Sequence, residues 1–246
     1  MTISKHRVLL LGGSGMLGHM VGKFLQQFYE VETTVHRWPS LEFKNEIKES
    51  NADFIINCIG AIPQRTQDFD INWELPIWLD QNFKSRIIHP GTDCEMDADQ
   101  YGISKKKAAD WIKSTGSNTK MIKASIIGPE LSQASSMLYW FLSNKDYTEV
   151  NGYTNHLWNG ITTFYWAKFS KDLMENWDNY NTTTVLGTNC ISKFDMCTIF
   201  NEIYDREIII NEFETKISVN KCLNVDIKCD NIDIQLRNQK RFYYGT

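Results

Sequence analysis

Three glycines spaced three residues apart follow a short apolar run near the start of the sequence. The run is Arg-Val-Leu-Leu-Leu at 7–11, and the glycines stand at positions 12, 15 and 18. A continuous apolar run that ends at glycine is typical of a strand buried on both faces, as in parallel sheets. Residues without a Cβ atom at a strand-to-helix turn let a diphosphate approach the backbone and the helix N-terminus. The feature predicts a βαβ unit, with an ordinary turn as the alternative. Its candidate dinucleotide-binding residues are Gly12, Ser14, Gly15, Met16, Leu17 and Gly18.

The first half of the chain alternates between strand-like runs and segments with helical spacing. Apolar residues recur at helical spacing over 16–28, and apolar or β-branched runs follow at 31–35, 53–58, 87–89 and 120–124. Strands that alternate with helices are typical of a parallel sheet with helices on both faces. The sequence therefore predicts an α/β fold with a doubly wound parallel sheet of the Rossmann kind.

The second half of the chain has shorter elements. Helical spacing covers 163–176 and 192–204, and strand-like pieces cover 183–186 and 208–210. The last stretch, 228–246, has no clear pattern. These pieces suit a small lobe better than a second large domain.

No internal repeat or low-complexity linker divides the chain. We therefore predict one continuous structural unit with two parts. Residues 1–128 form an NADP-binding core, and residues 129–246 form mainly a substrate-binding lobe, with part of it returning to the core. Ligand clefts commonly lie between two such parts.

Composition and charge exclude several classes of protein. The 246 residues are 42% hydrophobic and 13% aromatic, and the net charge is −4. This is enough apolar material for a core, so general disorder is excluded. No strongly basic segment attracts a nucleic-acid backbone or an anionic membrane. We expect a globular protein that binds neither nucleic acid nor a membrane.

The cysteines and histidines predict neither a disulfide framework nor a metal site. Six cysteines are scattered without a Cys-x-x-Cys pair, and five histidines stand apart from one another. Structural metal sites and small disulfide-rich domains both need such residues in close groups. We therefore expect no bound metal and a protein of the reducing cytoplasm.

Tyr101 and Lys105 form a Tyr-x-x-x-Lys pair. Side chains four residues apart on a helix lie on one face, one turn from each other. A free tyrosine titrates near ~10, so a nearby ammonium helps its hydroxyl to exchange a proton near neutral pH. Tyr101 is the candidate proton donor and Lys105 its partner, although such a pair also occurs by chance on exposed helices.

A basic residue follows the second predicted strand, where NAD-binding units commonly place a carboxylate for the ribose hydroxyls. This chain has His36-Arg37 there. The Arg37 guanidinium can neutralise a 2′-phosphate. Arg37 therefore favours NADP(H) over NAD(H) as cofactor, and the alternative is an arginine in a solvated loop.

Taken together, these motifs resemble one family. The glycine spacing is that of extended short-chain dehydrogenases/reductases, and Thr-Asp-Cys after the fourth predicted strand precedes Tyr-x-x-x-Lys in the shared order. The chain is similar to the dTDP-4-dehydrorhamnose reductase family from Arg7 to about Tyr204. The segments that carry the similarity beyond the glycine turn and the Tyr-Lys pair are 57–61, 87–94, 123–130 and 150–163.

The resemblance implies a reaction and roles for several residues. The family transfers a hydride from NADPH to C4 of a nucleotide-linked 4-keto-6-deoxyhexose, giving a 6-deoxy-L-sugar nucleotide for glycan synthesis. By this resemblance Thr92 holds the substrate carbonyl against Tyr101, and Lys105 also binds the nicotinamide ribose. The backbone that passes this ribose matches Ile59, Gly60 and Ala61.

The chain departs from the family pattern at several places. Only nine positions separate Thr92 from Tyr101, where the family usually has a much longer acidic loop. Gly91 replaces a customary serine, and Lys123 replaces the usual arginine. Pro76 lies in a segment that is otherwise helical, and a proline there limits a regular helix to either side. We expect part of the substrate pocket to be missing or supplied by other residues.

Aromatic and amide side chains in one segment of the lobe are candidates for contact with a nucleotide sugar. Aromatic rings stack on bases or sugars, and amides hydrogen-bond hydroxyls and carbonyls. The alternative is that the aromatic side chains belong to the core of the lobe. The candidate residues are Asn151, Tyr153, Trp158 and Asn159.

Two other functions remain open at this stage. The shortened loop favours a non-catalytic, NADP-binding regulatory protein of the same fold, whereas the retained Thr92, Tyr101 and Lys105 favour an enzyme. A nucleotide-sugar epimerase or dehydratase ranks third, because a dehydratase would normally have an acidic pair where this chain has Asp93-Cys94. The sequence leaves open a dTDP or UDP carrier, a hydroxyl or 2-acetamido group on the sugar (L-rhamnose or N-acetyl-rhamnosamine type), and whether the protein is a homodimer.

Overall fold

The computed structural model describes residues 6–115, 118–131 and 136–245. The chain divides into two compact units. The first comprises 1–123 and 166–184, and the second comprises 124–165 and 185–246. The expected assignment of cofactor binding to 1–128 and substrate binding to 129–246 concerns what each part binds, and it stays a prediction.

Strands and helices alternate through the first 123 residues. In chain order the elements are β1 (Arg7–Leu11), α1 (Met16–Leu25), β2 (Glu30–Thr33), α2 (Leu41–Glu49), β3 (Phe54–Asn57), α3 (Ile71–Asn82), β4 (Arg86–Gly91), a 3-10 helix (Asp93–Met96), α4 (Gln100–Thr115) and β5 (Thr119–Lys123).

After β5, the described residues combine short strands with helices. In chain order these elements are β6 (Ile126–Ile127), α5 (Met137–Ser143), β7 (Glu149–Tyr153), β8 (His156–Trp158), β9 (Ile161–Thr162), α6 (Thr163–Glu175), a 3-10 helix (Trp177–Asn179), β10 (Thr183–Gly187), β11 (Ile191–Ser192), α7 (Lys193–Ile203), β12 (Ile209–Phe213), β13 (Val219–Asn220), β14 (Ile227–Lys228) and α8 (Ile232–Tyr244).

The main sheet has seven strands in the order β14-β10-β5-β4-β3-β1-β2. Its pairs β2–β1–β3–β4–β5 are parallel and in continuous register, with Leu9 opposite Ile55 and Ile55 opposite Ile87. The strand order reverses between β1 and β3, and ligands of open α/β sheets bind at such a point, beyond the carboxyl ends of the strands. The predicted doubly wound parallel sheet is confirmed.

Helices α2 and α3 cover one face of this sheet. The side chains of Leu9, Ile55 and Ile87 are at most 2% exposed and pack in one cluster with Phe43 of α2 and Leu75 of α3. Burial on both faces explains why these strands read as continuous apolar runs rather than as alternating ones. The apolar pattern therefore positions the carboxyl ends of β1, β3 and β4 side by side.

Helix α3 runs without interruption through Pro76, contrary to the expectation of a helix limited to either side of it. A proline inside a helix removes one hydrogen bond to the carbonyl four residues earlier. Pro76 is buried, and its neighbour Leu75 is fully enclosed in the core cluster. Packing of this helix on the sheet therefore outweighs the lost hydrogen bond.

The second unit has its own core, to which α8 contributes. Ile232 and Leu236 of α8 are buried with Phe141 and Phe200. Gln235 Oε1 accepts a hydrogen bond from the Thr162 backbone N–H at 3.0 Å. The C-terminal stretch that had no clear sequence pattern is therefore a helix that packs on β9.

A disulfide joins Cys190 and Cys222 in the second unit, with Cα atoms 5.9 Å apart. The scattered cysteines gave no reason to pair these two, which are 32 positions apart. The bond links the segment before β11 to the segment after β13. Both strands pair with β8.

Among the residues that the structure describes, no helix is long and apolar enough to cross a membrane.

Candidate active site

The glycine turn leaves β1 in a conformation that requires glycine. Gly12 has φ of +78°, and a Cβ there would lie 2.9 Å from Ile59 Cγ1 and 3.0 Å from the Cys58 carbonyl carbon. The Gly15 N–H donates to Gly12 O at 3.0 Å and closes the turn. The turn thus lies against the end of β3, at the point where the strand order reverses.

Helix α1 begins at Met16 with Gly15 as its N-cap, and Gly15 has no side chain to cap the first amides. The first amides of a helix lack intrahelical partners and carry a partial positive charge. A Cβ on Gly18 would lie 2.1 Å from Gly12 O, so the helix backbone packs directly on the turn. The uncapped amides beside a turn without Cβ atoms fit a diphosphate.

Two asparagines hold the backbone that follows β3. The Ile59 N–H donates to Asn57 Oδ1 at 3.0 Å, and the Ala61 N–H donates to Asn72 Oδ1 at 2.7 Å. Asn72 Nδ2 also donates to Ala61 O at 3.0 Å. Gly60 is exposed between them. The structure therefore brings the predicted 59–61 segment next to the glycine turn.

Arg37 is exposed in the loop between β2 and α2. The preceding residues of the loop are fixed by Glu46 of α2, whose two carboxylate oxygens accept the Val35 and His36 N–H groups at 2.9 and 3.2 Å. The Glu46 carboxylate is thus engaged by the backbone of this loop. The side chain of Arg37 is exposed on the same loop.

Thr92 leaves β4 and caps the 3-10 helix that follows. Its Oγ1 accepts the Cys94 N–H at 3.3 Å and donates to Asp93 Oδ1 at 3.0 Å. Its own N–H donates to Glu95 Oε1 at 2.9 Å, which completes a capping box. The Thr92 hydroxyl also lies near the Tyr101 hydroxyl, whose pKa it lowers through hydrogen bonding. The two predicted catalytic hydroxyls are therefore neighbours.

Burial raises the pKa of Tyr101 above its ordinary value. Negative charge on Cys94 and Asp93 raises this pKa further, and the hydrogen bond with Thr92 lowers it. The Phe69 ring lies 5.8 Å from the Tyr101 ring and forms part of its enclosure. Tyr101 is therefore held as a protonated phenol.

Lys105 lies one turn after Tyr101 on α4 and is buried. Its Nζ donates to Pro90 O of β4 at 3.1 Å. Burial lowers its pKa to about 8, and the negative charges of Glu95 and Cys94 oppose this shift. The ammonium is thus directed to the end of β4, two residues before Thr92.

A hydrogen-bonded path that the sequence analysis missed links Tyr101 to the 59–61 segment. Ser104 Oγ donates to Tyr101 O at 2.7 Å and accepts from Asn72 Nδ2 at 3.1 Å. Both polar residues are at most 5% exposed on helices α3 and α4. A polar residue at a buried helix position is the sequence signal for such a role. Recognising it required knowing which helix faces are buried.

The short connection from Thr92 to Tyr101 packs tightly on α4. A Cβ on Gly102 would lie 2.4 Å from Cys94 O and 2.6 Å from Asp97 O. Asp99 Oδ1 accepts the Gly102 N–H at 2.7 Å and so caps the start of α4. Nine positions therefore suffice to carry the chain from β4 to α4, because Gly102 lets the connection lie against the helix.

The four predicted substrate residues lie in the second unit. Asn151 is exposed on β7, and the Tyr153 ring lies 4.7 Å from the His156 ring. Trp158 Nε1 donates to Ser125 Oγ at 2.6 Å. The Asn159 amide is buried and hydrogen-bonds the backbone N–H and O of Leu223 at 2.8 and 2.9 Å. Contact of these residues with a substrate stays a prediction. Both polar atoms of the Asn159 side chain already have hydrogen-bond partners within the protein.

No protein-family model and no curated protein matches the chain by sequence. The class is defined by the fold. Its seven-stranded parallel sheet places the glycine turn and Thr92 at the carboxyl ends of β1 and β4, with β3 between them, and Tyr101 and Lys105 lie on the following helix α4. The chain has a Rossmann-like α/β fold, and this fold matches solved structures of dTDP-4-dehydrorhamnose reductases.

The particular structures that it resembles are those of nucleotide-sugar enzymes. The dTDP-4-dehydrorhamnose reductase from Bacillus anthracis, in complex with NADP, is 12% identical with a TM-score of 0.74, over 98% of this chain and 100% of the other. The dTDP-4-dehydrorhamnose reductase from Yersinia enterocolitica is 14% identical with a TM-score of 0.71, over 97% and 100%. The GDP-mannoheptose C4 reductase from Campylobacter jejuni, with NADP bound, is 12% identical with a TM-score of 0.69, over 99% and 100%. The resemblance predicted from the sequence is confirmed at the level of the fold.

Proposed function

We propose that this chain is an NADPH-dependent reductase that acts on a nucleotide-linked 4-keto-6-deoxyhexose. The observation that carries the proposal is the grouping of three side chains: Thr92 follows β4, its hydroxyl lies near Tyr101, and Lys105 lies one turn after Tyr101 on α4. The comparisons support the same function, because two structures that match nearly the whole chain are those of a dTDP-4-dehydrorhamnose reductase and a GDP-mannoheptose C4 reductase.

The residues of this chain have separate tasks in the proposed reaction. NADPH, when bound on the glycine turn, supplies the hydride. The ketone would become a secondary alcohol, and the Tyr101 hydroxyl would donate the proton that the carbonyl oxygen gains. Thr92 holds the carbonyl oxygen beside Tyr101. Burial keeps Tyr101 protonated until the oxygen becomes basic enough to take the proton.

Arg37 supports the choice of NADPH. Its guanidinium is exposed after β2, and the carboxylate nearby, Glu46, is engaged by backbone amides. A guanidinium forms charge-assisted hydrogen bonds with a phosphate. Preference for NADP(H) over NAD(H) is therefore part of the proposal.

The test is NADPH oxidation with four substrates generated by a dehydratase: dTDP- and UDP-linked sugars, each with and without a 2-acetamido group. The wild type is expected to reduce at least one of them. Tyr101→Phe is expected to lower kcat by about 10²- to 10⁴-fold, as the loss of a general acid does. NADPH binding should change by no more than a few-fold.

Tyr139→Phe is the matched control, because this tyrosine is exposed on α5 and should leave the rate unchanged. Unaltered turnover in Tyr101→Phe would remove Tyr101 from the mechanism. NADPH binding without turnover of any of the four substrates would instead support the non-catalytic, regulatory alternative.

A further inference from the structure

Two of the departures from the family pattern lie side by side in the main sheet. Gly91 ends β4 and Lys123 ends β5, and the two residues are direct partners in the register of the pair. The 3-10 helix that follows β4 places Glu95 above them. All three residues are buried.

Glu95 uses both oxygens of its carboxylate. Oε2 accepts from Lys123 Nζ at 2.7 Å, and the two side chains are only 4% and 11% exposed. Oε1 accepts the Thr92 N–H at 2.9 Å. A buried carboxylate with two charge-assisted hydrogen bonds has a fixed position. It therefore fixes the backbone of Thr92, whose hydroxyl lies near Tyr101.

Gly91 makes room for this carboxylate. A Cβ at position 91 would lie 2.8 Å from Glu95 Oε1 and 3.0 Å from Lys123 Cβ. A serine there is incompatible with Glu95 in its observed position. Gly91 and Glu95 therefore depend on one another, and Lys123 supplies the positive charge that the buried carboxylate needs.

We propose that Glu95 is a positioning residue for the reaction. It holds Thr92 in place beside Tyr101, and Lys123 compensates the negative charge of Glu95. This inference rests on the proposed function, because the reaction that Glu95 would serve is the one proposed there. The geometry that it uses is independent of the substrate. Glu95 itself acts through the Thr92 backbone and is not placed in contact with substrate.

Glu95 also acts on Lys105. The titratable groups that face Lys105 are His89 of β4 together with Cys94 and Glu95 of the 3-10 helix. Burial lowers the pKa of His89 well below its ordinary value, so His89 is neutral and Glu95 supplies negative charge near the buried ammonium. Loss of Glu95 is therefore expected to lower the pKa of Lys105 as well.

The experiment replaces Glu95 and Lys123 together. Removing one member of a buried ion pair leaves an uncompensated charge, whereas replacing both by neutral groups of similar size is often tolerated. Glu95→Gln with Lys123→Met is expected to keep the fold and to lower kcat by about 10- to 100-fold, the cost of a misplaced catalytic group. The dissociation constant for NADPH should stay within about twofold, and Lys123→Arg, which keeps the pair, should stay within a few-fold of the wild type in kcat.

Two further measurements do not require turnover. The backbone amide resonance of Thr92 is expected to move in the double variant, because the N–H loses a charged acceptor. The carbon resonance of the Lys105 side chain is expected to titrate at lower pH in Glu95→Gln than in the wild type. A wild type that reduces none of the substrates would overturn the proposed function, and the Thr92 amide resonance would still decide whether Glu95 holds Thr92.

A second variant covers the case in which the double variant does not fold. Gly91→Ala should displace the Glu95 carboxylate and lower kcat to a similar degree. The matched control is Lys106→Met with Asp110→Asn, an exposed ion pair on α4, for which no change is expected. The positioning role is overturned if kcat and the Thr92 resonance stay at wild-type values in the double variant or in Gly91→Ala.

Discussion

At the scale of a single residue, burial of the charged Lys105 side chain lowers the stability of the fold. The side chain is 8% exposed, and burial lowers its pKa to about 8 from an ordinary value near 10.5. Between these two pH values the unfolded chain binds a proton that the folded chain does not. Stability therefore rises with pH across this window, and the penalty for burying the charge is present in full below about pH 8.

Lys105→Met removes that penalty, so its stability relative to the wild type is expected to depend on pH. The wild type should gain about 3 kcal/mol relative to the variant between pH 8 and 10.5, since each unit of pKa shift corresponds to about 1.4 kcal/mol. Urea denaturation at several pH values measures the difference. Lys107→Met, an exposed neighbour, should give a difference that does not vary with pH. A constant difference for Lys105→Met as well would mean that Lys105 is not buried with a lowered pKa.

Residue types predicted the catalytic candidates but not the residues that support them. Tyr101 and Lys105 stand in a spaced motif, which is visible in one dimension. Glu95 becomes informative only through Lys123, which lies 28 positions later and meets it because β4 and β5 are neighbours. Asn72 and Ser104 likewise meet only once α3 and α4 are packed. Contacts between distant segments of the chain carry no local sequence signal.

At the scale of an element, the glycine turn separates what the fold requires from what a ligand requires. A Cβ on Gly18 would overlap Gly12 O at 2.1 Å, and these are backbone atoms that cannot move aside. A Cβ on Gly15 would lie 3.5 Å from the same oxygen, which is an ordinary contact, and its φ of −76° is open to any residue. The two glycines therefore serve different purposes.

Gly18→Ala is expected to destabilise the protein by about 3 kcal/mol, the upper range for overpacking. Gly15→Ala should cost less than about 1 kcal/mol, as expected for alanine at an N-cap, yet it should weaken NADPH binding because the methyl group occupies the approach to the α1 amides. Denaturation and NADPH titration on both variants separate the effects. Equal stability of the two variants would contradict the close packing of α1 on the turn.

Long elements were predictable and short ones were not. The predicted strand at 53–58 and helix at 192–204 correspond to β3 and α7, because continuous apolar runs and helical spacing reflect burial directly. Helix α8 escaped prediction because Gln235 and Gln239 occupy buried positions where apolar residues would have marked the helical period. Strands of two residues, such as β13, leave no pattern at all.

At the scale of the whole molecule, the chain combines a unit whose topology follows from local patterns with one that depends on distant contacts. The first unit is built mainly from consecutive parallel strands and their crossover helices, so each segment predicts its neighbour. In the second unit β7 pairs with β12 about 60 residues away, and a disulfide joins positions 190 and 222. The fold class was therefore accessible from the sequence, whereas the architecture of the second unit was not.

Stability of the whole protein gives a readout of cofactor choice that does not depend on substrate. A ligand that binds only the folded state stabilises it by about 2.7 kcal/mol at a hundred times its Kd. We expect NADPH to raise Tm more than NADH at the same concentration, because the proposed function pairs the Arg37 guanidinium with the 2′-phosphate. Arg37→Ala should weaken NADPH binding about tenfold. The Tm increase that NADPH produces should then fall by about 3 to 6 °C, since each kcal/mol moves Tm by about 2 to 4 °C in a chain of this size. The Tm increase that NADH produces should be unaffected by Arg37→Ala. The control Lys48→Ala on α2 should change the Tm increase with neither cofactor. An equal loss with both cofactors would show that Arg37 shapes its loop rather than contacting the phosphate.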